Sequence, residues 1–166
     1  MKELKKEKLF WKRYFGYDGD LNLIDKKIDH INLRSTEIGD QEIGWLVSRL
    51  EEIEMLDMDE TNISNEAIAN LTQLGSIKEL RLKDNFELTD DCIGDLNNIP
   101  SLQLLHLGST SITLEGLKKL QLKNLQHLLF SFDGEVDLSS MLILKENMPA
   151  CRFIINHQVF SFDERN

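Results

Sequence analysis

One pattern of hydrophobic residues recurs five times along the chain at nearly constant spacing. The first copy is the phrase Ile28-x-x-Ile31-x-Leu33-x-x-Thr36-x-Ile38, and the steps between equivalent positions are 25, 24, 25 and 23 residues. The five copies begin at Ile28, Ile53, Ile77, Leu102 and Leu125. A unit of this size cannot bury its own apolar face, so neighbouring units must stack around one continuous core. The repetition therefore predicts a single elongated domain of stacked units.

Each unit has the sequence of a strand, a turn and a helix. The alternation of Ile31 and Leu33, repeated in every copy, indicates a short strand with one buried face. The turns are closed by small residues that can hydrogen-bond locally, namely Thr36, Thr61, Asn85 and Thr110. Helices should follow, with Ser64, Thr89 and Thr113 as N-caps. The small residues Ala67, Cys92 and Gly116 then indicate a close approach of each helix to the strand layer.

The segment from Leu105 to Leu117, with the sequence LHLGSTSITLEGL, resembles the ribonuclease-inhibitor-like and cysteine-containing branches of the leucine-rich-repeat family. The family usually has Asp where this chain has Leu114. The resemblance covers about residues 28–132. It implies an α/β fold, a short right-handed solenoid with a concave parallel sheet and convex helices. Members of this family bind other proteins, so the resemblance also implies a non-enzymatic protein–protein interaction module.

The two ends of the chain depart from the repeat. Residues 1–27 are predicted to form a helical N-terminal cap, residues 28–132 about 4.5 repeats, and residues 133–166 a C-terminal cap. That last segment should contain a helix over 139–148, a strand over 151–156 and a tail from 160. Two interpretations of the basic, aromatic N-terminus remain open. It caps the first repeat, or it contacts an acidic membrane surface or partner, and an exposed Trp11 would favour contact.

Composition and charge exclude several classes of function. The 166 residues are 41% hydrophobic with no long apolar run, so we expect no membrane span, no secretory signal and a cytoplasmic location. The formal net charge of −10 argues against nucleic acid binding. Residues 1–14 carry six Lys or Arg and two Glu, a local +4, which leaves −14 on the remainder. Such a body would attract a basic partner. Cys92 and Cys151 are expected to be small buried residues.

The residues that flank the buried pair of each strand are predicted to form the binding face. The candidates are Asp57, Asp59, Glu79, Arg81, Lys83, Leu104, His106, His127, Leu129 and Phe132. The charges fall into two columns, Arg34–Asp59–Lys83 and Asp57–Arg81. The opposite charges in these columns either pair with one another along the sheet or pair with charges of a partner. In the second case Arg81 would be the best anchor.

The other candidates are mainly apolar residues on a face that should be exposed to solvent. Leu104, His106, Leu129 and Phe132 would form an exposed cluster, which either the loop 132–138 or a partner must cover. His106 and His127 could share a metal ion, but no third ligand stands at a recognisable spacing, so we expect no metal. The sequence also has no Gly-rich phosphate loop, no nucleophile elbow and no HExxH motif. We therefore expect neither an enzyme nor a cofactor.

These observations lead to one expected function and two alternatives. The chain should be a monomer that binds a partner protein on its concave sheet. A more specific alternative is an immunity-type inhibitor that covers the basic active face of a toxin or nuclease. The other alternative is a structural subunit that is held in a larger complex through its N-terminal segment.

Overall fold

A computed structural model describes residues 2–134 and 136–162 of the chain. The fold is α/β, with one seven-stranded sheet in the order β1 to β7. The strands are β1 (Lys27–Asn32), β2 (Glu52–Asp57), β3 (Ser76–Arg81), β4 (Leu104–Leu107), β5 (His127–Phe130), β6 (Arg152–Ile155) and β7 (Gln158–Val159). The helices are α1 (Lys2–Phe15), α2 (Asp40–Arg49), α3 (Asn65–Leu71), α4 (Ile93–Asn97), α5 (Leu114–Leu117) and α6 (Leu138–Asn147). Strands β1 to β6 pair in parallel, which confirms the predicted α/β fold with a parallel sheet, and β7 pairs with β6 antiparallel.

The repeated hydrophobic pattern sets the register of the sheet. The equivalent residues of the repeats lie directly opposite one another in a fully buried row, which consists of Ile31, Leu56, Leu80, Leu105, Leu128 and Phe153. A shift of one residue in any strand would turn its apolar side chains away from the core. The constant repeat therefore fixes both the strand order and the alignment of every outward-facing residue.

The turns after the strands hold the hydrogen bonds that the sequence predicts. The hydroxyl groups of Thr36, Thr61 and Thr110 each donate to the carbonyl oxygen three residues before, at 2.6, 3.0 and 3.0 Å. The residue before each closing residue has a positive φ of 53 to 60°. These left-handed residues are Ser35, Glu60, Asp84 and Ser109. The same bend thus recurs at the end of β1, β2, β3 and β4.

The helix starts are joined by a ladder that the sequence did not predict. Ser64 and Thr113 cap α3 and α5 as expected, and Thr89 caps the short 3-10 helix Asp90–Cys92 that leads into α4. Each of these residues also hydrogen-bonds through its backbone N–H and its hydroxyl to an Asp or Asn of the preceding helix start. The pairs are Asp40–Ser64, Asn65–Thr89 and Asp90–Thr113. The next equivalent position is Leu114, where the ladder stops.

The hydrogen-bond ladder explains why residue 116 is a glycine. A Cβ atom at this position would overlap Oδ1 of Asp90, which accepts a hydrogen bond from the backbone N–H of Thr113. We attributed Gly116 to a close approach between helix and strands, and that explanation is wrong because the crowding group is a carboxylate of the neighbouring helix start. Ala67 and Cys92, the equivalent residues of the earlier units, are fully buried as expected.

Helix α1 packs its aromatic side against α2. Phe10 and Trp11 are buried, and the ring of Phe10 lies 5.8 Å from that of Trp45. Glu7 is also buried and accepts hydrogen bonds from Arg49 at 2.7 and 3.2 Å. Trp11 is only 1% exposed. Its burial supports the capping interpretation of the aromatic residues.

The C-terminal segment is more ordered than the sequence indicates. Asp137 caps α6, and a hairpin with positive φ at Asn156 and His157 joins β6 to β7. In the segment from residue 160, which the sequence predicts to be a tail, the ring of Phe162 lies 6.2 Å from that of Phe153 and 5.1 Å from that of Phe160. Residues 163–166 lie outside the described residues. Within 2–134 and 136–162, no helix is long and apolar enough to cross a membrane.

Candidate protein-binding face

The side chains that alternate with the buried row define one surface, which we call the open face. In one column His30, Met55, Glu79, Leu104, His127 and Arg152 lie directly opposite one another from β1 to β6. A second column contains Asn32, Asp57, Arg81, His106, Leu129 and Ile154. Paired strands lie about 4.8 Å apart, so residues along a column are close neighbours. Seven of the ten candidates lie in these two columns, Asp59 and Lys83 follow the ends of β2 and β3, and Phe132 lies beyond the end of β5.

The two predicted charge columns form only in part. Arg34 lies 3.7 Å from the carboxylate of Asp59, but Asp59 binds the backbone N–H of Lys83 and not its ammonium group. The Lys83 ammonium pairs with Asp84 at 2.9 Å. The first column is thus one salt bridge followed by a backbone hydrogen bond.

In the second column Asp57 and Arg81 do not form the expected pair. Each contacts a residue two positions away in its own segment instead. Asp57 accepts a hydrogen bond from the backbone N–H of Asp59 at 3.0 Å, and Arg81 lies 3.7 Å from the carboxylate of Glu79. The Nε atom of Arg81 is buried and has no hydrogen-bond partner among the described residues. Arg81 therefore keeps unsatisfied donor capacity, whereas Asp57 is engaged within its own turn.

The two aspartates of the candidate set lie beneath the surface. Asp57 is 7% exposed and Asp59 is 2% exposed. Burial raises the pKa of Asp59, an effect that the hydrogen bond from Lys83 opposes. These carboxylates organise the turn after β2, and they offer a partner far less surface than Glu79, Arg81 and Lys83, which are all partly exposed.

The candidates from the last repeats form a continuous apolar and imidazole surface, which we call the C-terminal patch. Leu104, His106, His127 and Leu129 are partly exposed and adjoin one another across β4 and β5. The surface continues onto Ile154, which lies opposite Leu129, and onto Val159, which lies opposite Ile154. Directly opposed residues of an antiparallel pair share a face, so Val159 extends the patch to the sheet edge. Val159 is 49% exposed.

His106 contributes to this patch as a neutral ring. Burial lowers its pKa, an effect that the nearby Asp59 carboxylate opposes and the Lys83 and Arg81 cations reinforce. The ring lies over Gly108, where a Cβ atom would approach its Nε2 to 3.0 Å. A pKa below the ordinary value of 6.5 leaves the imidazole uncharged at neutral pH, which suits an apolar contact surface.

Phe132 lies apart from the patch with which the sequence grouped it. It lines a separate groove of about 660 Å³ with Phe86 and Ile112, beyond the ends of the strands. Its ring lies against Gly134, where a Cβ atom would come within 2.8 Å. The turn after β5 carries the chain past the strand end, and this displaces Phe132 from the two columns.

The open face does not carry the acidic excess of the chain. Counted over the two columns and the next alternate position of each unit, it holds four basic side chains, Arg34, Arg81, Lys83 and Arg152, and three acidic ones, Asp57, Asp59 and Glu79. The formal net charge of this face is therefore +1, against −10 for the whole chain. The charge that suggested a basic partner lies on other surfaces.

His106 and His127 lie on adjacent strands but in different columns, and within the described ranges no three His, Cys, Asp or Glu side chains group as metal ligands. Burial raises the pKa of both Cys92 and Cys151 to about 12, which keeps the two thiols protonated at neutral pH.

Sequence reasoning missed Ile154 and Val159. The strand over 151–156 was predicted, but it was not aligned with the repeats, although Phe153 occupies the position of Leu128. That alignment would have placed Ile154 beside Leu129. Strand β7 has only two residues and no Asn-Gly or Asp-Gly turn, so no comparable signal marked Val159. No known protein-family model matches this chain, and no curated protein matches it either.

Proposed function

We propose that this chain is a leucine-rich-repeat solenoid and a non-enzymatic protein–protein interaction module, which binds a partner protein on the concave face of its parallel sheet. The strand–turn–helix units, the constant register and the recurring left-handed turn residues support the solenoid. The observation that carries the binding function is the C-terminal patch. A cluster of Leu, Ile, Val and His side chains on an otherwise largely polar face is the composition expected of an interface centre.

The patch adjoins charged residues that would orient the partner. Arg81 lies opposite His106, and Glu79 lies opposite Leu104. An apolar centre bordered by charged groups is the usual organisation of a protein interface. We therefore propose a partner that packs apolar side chains against the face formed by β4 to β7. The same partner would place a carboxylate or carbonyl oxygen near Arg81.

The immunity-type inhibitor is the less favoured version of this function. It needs an acidic surface to cover a basic active face, and the open face has a net charge of +1. An inhibitor of that kind would have to use another surface of the chain. The enzyme hypothesis also lacks support, because the open face is a shallow surface without an enclosed group of catalytic side chains.

The test is the capture of a partner from native lysate with two double variants beside wild type. His106→Glu/Leu129→Glu places two charges in the centre of the patch, and we expect recovery of the partner to fall at least a hundredfold, since a buried unpaired charge costs several kcal/mol. The control, Lys119→Glu/Lys123→Glu, changes two exposed residues outside the open face. It should recover the partner as wild type does. Equal recovery by the patch variant would contradict the proposed function.

A further inference from the structure

Helix α1 has two chemically different sides. One side carries Glu7, Phe10 and Trp11, which are buried against the rest of the chain. The opposite side carries all six of its basic residues, and every one of them is exposed: Lys2, Lys5, Lys6, Lys8, Lys12 and Arg13. The aromatic cap and the cations therefore do not compete, because they occupy opposite faces of the same helix.

The exposed side of α1 is strongly cationic. Glu3 is its one exposed acid, since Glu7 is turned inward and paired with Arg49, so the exposed side has a formal net charge of +5. Among the described residues, the basic groups of α1 make one salt bridge, between Lys12 and Asp18 at 2.7 Å, and both of these side chains are largely exposed. This charge stands against the −14 of the chain beyond residue 14.

Leu9 lies in the middle of these cations and is 63% exposed. Residues three and four positions apart are neighbours on a helix surface, and all four such neighbours of Leu9 are basic, namely Lys5, Lys6, Lys12 and Arg13. A solvated charged face has no need of a large apolar residue at its centre. A ligand that offers both negative charge and an apolar interior would use both features.

We propose that the exposed side of α1 binds the surface of an anionic phospholipid bilayer. The lysines and Arg13 would contact lipid phosphates and carboxylates, and Leu9 would enter the boundary between head groups and acyl chains. The helix would lie in the plane of that boundary, with its aromatic side still packed on α2. This inference concerns a surface separate from the open face and does not depend on the function proposed for it.

The charge distribution favours a bilayer over a long polyanion such as RNA. Groups more than about 8 Å apart are largely screened at physiological salt, so a plane that touches only α1 would feel little repulsion from the acidic body. A nucleic acid would use the cations but leave Leu9 in water. The acidic residues near α1 are Asp18 and, in the groove beside Lys6 and Arg13, Glu37 and Glu42. Glu42 is engaged by the backbone N–H of Gly39 at 3.0 Å.

Co-sedimentation of the full chain with vesicles tests the proposal. The probes are vesicles of phosphatidylcholine alone and of phosphatidylcholine with about a third phosphatidylserine, at low and high salt. We expect partition onto the anionic vesicles only, and its loss at high salt. Lys5→Glu/Lys6→Glu should weaken partition by about thirtyfold or more, since each basic residue near the surface contributes roughly a fivefold factor. Both substitutions lie near the N-terminus of α1, where acidic residues are tolerated by the helix dipole.

Two further variants separate the outcomes. Lys119→Glu/Lys123→Glu alters net charge equally but away from α1, and it should partition far better than Lys5→Glu/Lys6→Glu. Leu9→Gln keeps every charge and should lower partition about fivefold, because it removes the inserted side chain. Absence of binding to anionic vesicles, equal losses in the two double variants, or unchanged partition of Leu9→Gln would overturn the proposal. Self-association or RNA binding that is lost in Lys5→Glu/Lys6→Glu, without vesicle binding, would likewise overturn it and assign the face to that ligand.

Discussion

Replacement of Asn85 by alanine is expected to lower the free energy of unfolding by about 4 kcal/mol, because a fully buried hydrogen-bonding centre is removed. The Nδ2 group of Asn85 donates to the carbonyl oxygens of Met58 and Leu82 at 2.8 and 2.9 Å. Its Oδ1 atom accepts from the backbone N–H of Thr61 at 3.0 Å and lies 2.8 Å from the hydroxyl oxygen of the same residue. Alanine would leave the Leu82 carbonyl oxygen and the backbone N–H of Thr61 without these partners, whereas the Thr61 hydroxyl would keep the Met58 carbonyl oxygen as its acceptor. Urea denaturation followed by circular dichroism measures the change.

The chain supplies its own control for this position. The first, second and fourth units have Thr where this unit has Asn85, and each of those threonines donates to the carbonyl three residues before. Asn85→Thr should keep that one bond and lose the bridge to the neighbouring turn, with a destabilisation of about half that of Asn85→Ala. If both variants unfold within about 1 kcal/mol of wild type, Asn85 does not hold the two turns together.

Replacement of Gly116 by alanine is expected to lower the free energy of unfolding by about 1–2 kcal/mol, because partly exposed hydrogen bonds at a helix start are lost. The new Cβ atom would overlap the carboxylate of Asp90, which binds the backbone N–H and the hydroxyl of Thr113 at 2.7 and 2.6 Å. Either the carboxylate moves and these bonds are lost, or the helix start shifts from the neighbouring unit. Thermal and urea unfolding should both show the loss.

Two variants isolate this overlap. Gly94→Ala lies in α4, where a Cβ atom would meet no other atom within 4 Å, and it should stabilise the chain by up to about 1 kcal/mol through helix propensity. In Gly116→Ala/Asp90→Ala the overlap is absent, so the double variant should be less destabilised than the sum of the two single variants. Strict additivity would show that Asp90 is not the group that excludes a side chain at Gly116.

Much of the fold could be predicted because the repeat determines the buried row, the strand order and the strand register together. The spacing that placed Ile31 and Leu56 in one buried row also fixed the strand order and the alignment of His30 with Met55. The turn threonines and the helix caps have local chemical signals that do not depend on the rest of the chain. Strand β7 and the packing of Phe160 and Phe162 lie beyond the last repeat, where no periodicity remained to indicate them.

The candidate site was less predictable than the sheet that carries it. Position along a column follows from the register, so the adjacency of His106 and Leu129 could be foreseen. The depth of a side chain depends on how the turns pack, and for this reason Asp57 and Asp59 were expected at the surface although they are buried. Ion pairing depends on rotamers, so the pair between Arg81 and Glu79 was not foreseen from the columns.

Site-specific photo-cross-linking in native lysate tests most directly whether a partner contacts the C-terminal patch. A benzoylphenylalanine would replace Ile154, which lies in the patch opposite Leu129, and in a second protein it would replace Ile143, an exposed residue of α6. Because the two positions exchange the same residue type, they differ mainly in the surface that they probe. We predict a covalent adduct with a defined protein from position 154 and none from position 143. An adduct from position 143 alone, or no adduct from either position, would contradict binding at the patch.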